Sequence, residues 1–579
     1  MREFVYGVLF VFLVFLPFCI LSSPKGQSVS MRFSDPGSFE LKQGKEGGTL
    51  YFILNGDPKT LNPVLAQETT STAVISDVFS GLTKINLKTM EYEPDLAESI
   101  KILDDGKRYI VKLKRNVKWN DGVDFSAMDV VFTYKDVYLN KNIPNSTADM
   151  LRGVLKDEKD MESFVKLIEK YTVEFNLPKP FAPFLGILSA PILPKHKLEK
   201  FVKEGTFMQA WNVNTKPEEI VGTGPYRIKR YLKGQLVEYE VNPYYYEKDA
   251  EGKTVPYIKE RIGYIVQDPD TALLMFSTKK VDYIGVRPTD LLTLSKLSNI
   301  TLFDLGPTPS TTFLVFNQNP QADIPKHKLE WFKNREFRRA ISMAIDRFGI
   351  SMLVYNGLAQ PLYGPITPAN KPYYTEGLFP EIPYDLKKAR EILESIGFKD
   401  RNRDGWLEDK DGNTLEIILL TNAGNKEREA IGNMIKQDLE SIGIKVLFRP
   451  IDFNALVQRL TAPPYQWEAV IIGLTGSLDP HFGRNVWHSS GTLHMWNPRQ
   501  KSPATDWEKK VDELFDLASS TIDSEKRVEL YREAYKIIAQ EQPLIFLATP
   551  KSMLSVRNKF ENFFPTVWGQ YKEEYMFFR

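Results

Sequence analysis

Residues 109–139, YIVKLKRNVKWNDGVDFSAMDVVFTYKDVYL, constrain the fold more than any other stretch of this 579-residue chain. Over 109–117, Val111, Leu113 and Val117 alternate with Ile110, Lys112 and Lys114, a period of two that predicts a half-buried strand. Asn120-Asp121-Gly122 is a turn, because Asn and Asp tolerate unusual backbone angles and Gly supplies positive φ. Ser126 and Asp129 have the spacing of a capping box, with Asp in place of the usual Glu. From there Met128, Val131, Phe132, Lys135 and Tyr138 recur at helical spacing. Strand, tight turn and capped helix form a packing module, not a catalytic one.

The same residues carry a resemblance. Lys118, Trp119, Asp121 and Gly122, then Ser126, Ala127, Asp129, Val130 and Phe132, resemble the K-W-x-D-G and T/S-A-x-D-V-x-F signature of the family 5 extracellular solute-binding proteins. These are the peptide- and nickel-type receptors of ABC importers. The likeness continues in Asp57, Pro58, Leu61, Asn62 and Pro63, on a loop that borders the family's ligand cleft. It continues again in Gly222-Thr223-Gly224-Pro225-Tyr226, in Val281-Asp282-Tyr283, in the helix 334–347 and in Pro543-Leu544-Ile545-Phe546-Leu547, and so runs from about residue 48 to the C-terminus. It implies an α/β, periplasmic-binding-protein-like two-lobed fold (type II, cluster C) with an extra small subdomain. On that scheme 1–23 is a signal peptide and 24–47 a tether. Residues 48–85, 221–305 and 545–579 build lobe I, 86–220 its small subdomain, and 306–544 lobe II.

The N-terminus supports export. Arg2 precedes an apolar run over 4–21, and small Ser22 and Ser23 follow, the pattern of a secretory signal. The run also approaches the length of a membrane anchor, so cleavage and retention both stay open. The single cysteine, Cys19, lies inside it as a candidate lipid-attachment site, although Leu16-Pro17-Phe18 is bulky where such a site needs small residues. The exported part has no cysteine, so burial alone must stabilise it. Residues 24–47 are polar and read as a flexible connection. A net charge of +1 gives no indication of a nucleic-acid partner.

Further elements follow from apolar runs, glycine stops and, for 226–232 and 334–346, the resemblance. Strands are expected at 49–54, 226–232, 312–317, 414–420 and 445–449, and helices at 74–82, 334–346, 385–396, 427–442 and 524–540. Gly222-Thr223-Gly224 is not a phosphate loop: the third glycine position is Arg227, and Pro225 removes a backbone N–H from the cradle.

Two candidate sites stand out. In DRNRDGWLEDKD, Asp400, Asn402, Asp404, Trp406 (through its carbonyl), Glu408 and Asp411 occupy positions one, three, five, seven, nine and twelve of a calcium loop, with Gly405 at six for the sharp turn. The other reading is a charged surface hairpin; a bound Ca2+ would be structural, and no other cofactor is required. The second site is GLTGSLDPHFGRNVWHSSGTLHMWNP, residues 473–498, as a wall of the ligand cleft. There Trp487 and Trp496 offer stacking faces, and Asp479, His481, Arg484, Asn485, His488 and His494 offer polar groups. The alternative for both tryptophans is core packing beneath a long loop. A catalytic metal is disfavoured, since no H-E-x-x-H occurs and the histidine spacings suit no helix face. Asn55 and Asp57 complete the ligand-binding set.

The resemblance implies that the acid pairing with a peptide's α-ammonium sits in a G-W-x-x-D turn. Here Leu474 stands for the tryptophan and Ser477 for the acid, which leaves Asp479 as a substitute, or a ligand without an ammonium. The function this favours is capture of an oligopeptide by hinge closure and delivery, unaltered, to ABC permease subunits by a monomeric receptor. A di- or oligosaccharide ligand is the alternative. An exported hydrolase and a chaperone-like binder are the competing classes, although no G-x-S-x-G, metal-protease motif or P-loop is present.

Overall fold

A computed structural model describes residues 29–66, 68–151 and 153–579. The signal segment and Cys19 lie outside the described residues.

The strand Leu544–Arg557 organises the molecule. Its first half pairs antiparallel with Ser310–Phe316, in register Thr312 with Ala548 through Val315 with Leu544. Its second half pairs with Ile300–Pro307, from Lys551 with Pro307 to Arg557 with Ile300. One strand therefore serves two sheet regions, and the chain crosses between them twice, near 307–310 and near 548–551. Beyond Ser310–Phe316 the sheet continues through Ala469–Thr475, Glu416–Asn422 and Lys445–Ile451, the last three mutually parallel. Helices cover this region: Arg335–Met343 turns Phe337, Ala340 and Ile341 inward, and Ser524–Glu541 turns Tyr531, Tyr535 and Ile538 inward.

A second sheet joins Thr49–Leu54, Glu260–Ile265, Leu236–Val241 and Tyr226–Leu232. A third, fully antiparallel, joins Ala97–Leu103, Arg108–Leu113, Thr172–Asn176 and Val165–Glu169. One continuous core fills these two, from Phe52 to Tyr239. Separate cores fill the other region, between Phe313 and Ala548. Two bodies with their own cores, joined by crossing strands, form the two lobes.

The organising module of the sequence folds as expected at its turn and cap. Gly122 has φ +88°, and its N–H donates to Trp119 O at 2.8 Å. The Ser126 hydroxyl accepts from Met128 N–H while Asp129 Oδ2 accepts from Ser126 N–H, a complete capping box. The strand is shorter than its alternation suggests, ending at Leu113. The helix differs more. After Ala127–Val131 the backbone widens into a π-helix over Phe132–Tyr138, so Tyr134 and Val137 turn inward while Met128 and Lys135 face solvent. The wider repeat rotates the buried face away from the 3.6-residue expectation.

Two other expectations are corrected. The helix expected over 74–82 is Thr69–Ile75. A Cβ on Gly81 would lie 2.4 Å from Ser189 O, so glycine is required there for close backbone approach. Gly222 and Gly224 pack in the same way against the carbonyls of Val78 and Asp77, at 1.9 and 2.3 Å from an added Cβ, which accounts for the G-T-G-P-Y sequence. The segment read as a tether is folded from Val29 onward. Val29–Phe33 adds a parallel edge strand to Ile300–Pro307, and buried Phe39 stacks on Phe564 at 4.8 Å. The short alternation Val29, Met31, Phe33 is embedded in an otherwise polar segment, and its strand partner lies about 270 residues away.

Candidate functional site

The crossing strands place one end of Ser310–Phe316 and of Ala469–Thr475 beside the point where the chain passes between lobes. Ligands of open α/β sheets bind outside such strand ends. A cavity of about 220 Å³ opens there, with Ile366, Val486, Trp487 and Tyr535 at its floor. Trp487 ends the short helix Arg484–Trp487, and ring contacts with Tyr535 and Phe546, both at 6.4 Å, fix its position. Asn370 Nδ2 donates to the carbonyls of Ser477 (2.8 Å) and Leu478 (3.3 Å), pinning the loop that follows Ala469–Thr475. On the far side of that loop a larger cavity, about 570 Å³, draws Leu87 and Met90 from one lobe and Pro372 and Leu478 from the other.

Of the predicted wall, Asp479, Asn485 and Trp487 line the smaller cavity. Asp479 is committed elsewhere: Arg527 Nη2 donates to both of its oxygens, at 2.6 and 2.8 Å, and Oδ1 also accepts from His481 N–H. Arg527 Nη1 donates to Tyr373 OH at 3.0 Å. Burial lowers the Arg527 guanidinium, but Asp479 more than offsets it, so the group stays firmly charged. The expectation that Asp479 substitutes as the free acid for a ligand's ammonium is therefore not met, because its charge is already neutralised.

Trp496 is also not a wall residue. It is 1% exposed, and its Nε1–H donates to Glu508 Oε1 at 3.0 Å. His494 bridges Val486 O and the same Glu508, which also caps Asp506–Ser520 through Thr505. Burial raises the Glu508 carboxyl, but His494 and Gln500 outweigh it and hold the group at about 2. This network anchors the long loop, so core packing explains Trp496. Arg484 reaches Asp516 at 3.2 Å, and His488 Nδ1 bonds Ser490 Oγ at 2.9 Å. Burial raises Asp516, yet His488 and Arg484 hold it at about 2. On the other lobe Asn55 is exposed, and Asp57 accepts from Tyr231 OH (2.6 Å) and Gly234 N–H (2.8 Å), tying its loop to a neighbouring hairpin.

The lobes touch directly. His481, 1% exposed, sets its ring edge against Phe181, with centroids 5.0 Å apart and planes at 83°. Neither imidazole nitrogen has a partner. Burial pushes the ring down, against Asp479 and with Arg484 and Arg527, to about 4. Ala182 N–H donates to Ser519 O at 2.9 Å, and Phe482 sits on Gly186 so closely that an added Cβ would lie 2.5 Å from its ring. Arg527, Tyr373, Asn370 and the Gly186–Phe482 contact escaped the sequence reading. Only Arg527 left a trace, as a cation on the buried face shared by Tyr531, Ala534 and Tyr535.

In the 400–411 loop, carboxylate oxygens of Asp400, Asp404 and Glu408 lie within 4.8 Å of one another. Asp400 Oδ1 is buried without a partner, while Asn402 Oδ1 and Asp404 Oδ1 accept from Asp404 and Trp406 N–H. This donor set fits a hard cation. Asp411 stands apart: its N–H donates to Asp409 in a second turn, and it is no member of the acidic group.

Comparison with known proteins agrees with this architecture. Residues 91–493 match the middle region of the bacterial extracellular solute-binding proteins, family 5. Oligopeptide-binding protein AppA of Bacillus subtilis is 30% identical over 565 residues, covering 96% of this chain and 95% of that one. The dipeptide-binding protein of Escherichia coli is 25% identical over 550 residues, covering 91% and 94%. The structure of B. subtilis AppA with a nonapeptide superposes with a TM-score of 0.77 at 28% identity, covering 93% of this chain and all of that one. NikZ from Campylobacter jejuni with Ni(L-His) gives 0.71 at 25% identity, covering 89% and 94%. Among the described residues no helix is long and apolar enough to cross a membrane. The chain belongs to the family 5 bacterial extracellular solute-binding proteins.

Proposed function

We propose that this protein is an exported receptor that closes around an oligopeptide and passes it, chemically unchanged, to the permease of an ABC importer. The crossing strands carry this reading: two lobes with independent cores, hinged near 307–310 and 548–551, meet across the larger cavity, which is lined from both sides. The two cavities flanking Ser477 and Leu478 suit an extended ligand. B. subtilis AppA, bound to a nonapeptide, supports the same ligand class. Lobe I is assigned to 48–85, 221–305 and the C-terminal return beyond the crossing near 548–551, with the subdomain 86–220, and lobe II to 306 up to that crossing. The receptor acts as a monomer outside the cytoplasm. An oligosaccharide is the second reading, favoured by the surface beside Trp487, where the one charged lining residue, Asp479, is paired with Arg527.

Thermal unfolding with peptide and oligosaccharide panels tests this. A ligand at 100 times its Kd adds about 2.7 kcal/mol of stability, and Trp487→Ala should shrink that shift. Peptide cleavage at catalytic rates would favour a hydrolase and end the receptor reading. We also assign Asp400, Asp404 and Glu408 to a structural Ca2+. Calcium should raise the melting temperature of the parent protein and not of Asp400→Ala; an unresponsive parent rejects the site.

A further inference from the structure

We propose that the cavity beside Trp487 is a side-chain subsite that takes one uncharged, bulky apolar side chain of the bound peptide and discriminates against charged ones. This rests on the peptide reading above. Asp479 is the one acidic or basic residue on the lining, and Arg527 neutralises it from behind. A ligand cation entering the cavity would meet a carboxylate with both oxygens already occupied. A ligand anion would meet no lysine or arginine on the lining. Either charge would lose its water without a compensating partner, which is steeply unfavourable.

An apolar side chain gains instead. Ile366, Val486 and Leu493 supply aliphatic surface and Trp487 a ring, and about 220 Å³ leaves ample room for a leucine, methionine or phenylalanine side chain. The floor cannot readily collapse into that space, since Tyr535 and Phe546 hold the Trp487 ring. The rim is fixed as well, because Asn370 clamps the Ser477 and Leu478 carbonyls. Thr311, Ser477 and Asn485 give that rim neutral hydrogen-bonding groups suited to a peptide backbone. A rigid, charge-balanced cavity selects by polarity in a way that a deformable or solvent-filled one does not.

The test incubates the full chain with a random nonapeptide library and sequences the retained peptides by mass spectrometry. One peptide position should show Leu, Ile, Met and Phe enriched about tenfold over Asp, Glu, Lys and Arg. Ser477→Asp, which sets an uncompensated carboxylate on the rim, should turn that position toward Lys and Arg and leave the others unchanged. Asn485→Asp, nearly isosteric and exposed, should do the same and serves if the first variant does not fold. Retention without any positional preference overturns the subsite while the receptor reading stands. Folded variants with an unaltered preference also overturn it. Failure to retain any peptide overturns both.

Discussion

Arg527, on the first turn of Ser524–Glu541, donates through one nitrogen to both carboxylate oxygens of Asp479, at 2.6 and 2.8 Å. The pair is about nine-tenths buried, with Tyr373 satisfying a second guanidinium nitrogen. It fixes the loop after Ala469–Thr475 and decides the charge of the cavity.

Breaking this pair should be costly. Arg527→Met leaves Asp479 buried and unpaired and should lower unfolding stability by about 3–5 kcal/mol in urea melts. Adding Asp479→Asn should recover much of the loss. Additive single effects would show that the two residues do not act as a pair.

Closure should weaken in acid. His481 is buried and neutral where the lobes touch, with a pKa of about 4. In an opened, hydrated cleft it would return toward the ordinary histidine value near 6.5. The closed form binds protons less readily, so ligand affinity should be constant above about pH 6.5 and fall, at most tenfold per unit, toward pH 4. The groups around the ring are Asp479, Arg484, Arg527 and Asp516 on its own lobe, with Phe181 opposite. His481→Gln should flatten this part of the profile in calorimetric titrations; an unchanged slope would exclude His481.

The contact of Phe482 with Gly186 should set the extent of closure. Gly186→Val adds atoms where even a Cβ would lie 2.5 Å from Phe482 and 2.8 Å from Tyr92 OH. If the closed fraction falls to about a tenth, affinity falls about tenfold. Small-angle scattering should show a larger liganded particle, and Phe482→Ala in the same chain should restore compaction.

The two tryptophans of the 473–498 segment should separate cleanly. Trp496→Phe removes one of three hydrogen bonds to Glu508 Oε1, where His494 and Gln500 remain, and should cost about 1 kcal/mol of stability with ligand affinity unchanged. Trp487→Ala should weaken affinity, because its ring lines the cavity. Equal effects of both on binding would place Trp496 in the site as well.

What the sequence determined by itself was local. Thr49–Leu54 falls where Gly47-Gly48 placed it and Tyr226–Leu232 where the G-T-G-P-Y resemblance placed it, and Asn334, Asp385 and Asp523 cap helices expected there. These depend on side chains a few residues apart, whose geometry the backbone dictates. The Lys118–Phe132 signature led to the family through the same short-range constraints. Tertiary structure alone decided the rest. Arg527 lies 48 positions from Asp479, and the ion pair between them converts an apparent ligand anion into a neutral wall. Trp496 was indistinguishable from Trp487 until the fold brought Glu508 beneath one and left a cavity beside the other. Residues 29–33 looked like a linker until Ile300–Pro307 offered them a sheet edge. Charge compensation, burial and strand pairing depend on what arrives from far along the chain, and composition or spacing does not encode that locally.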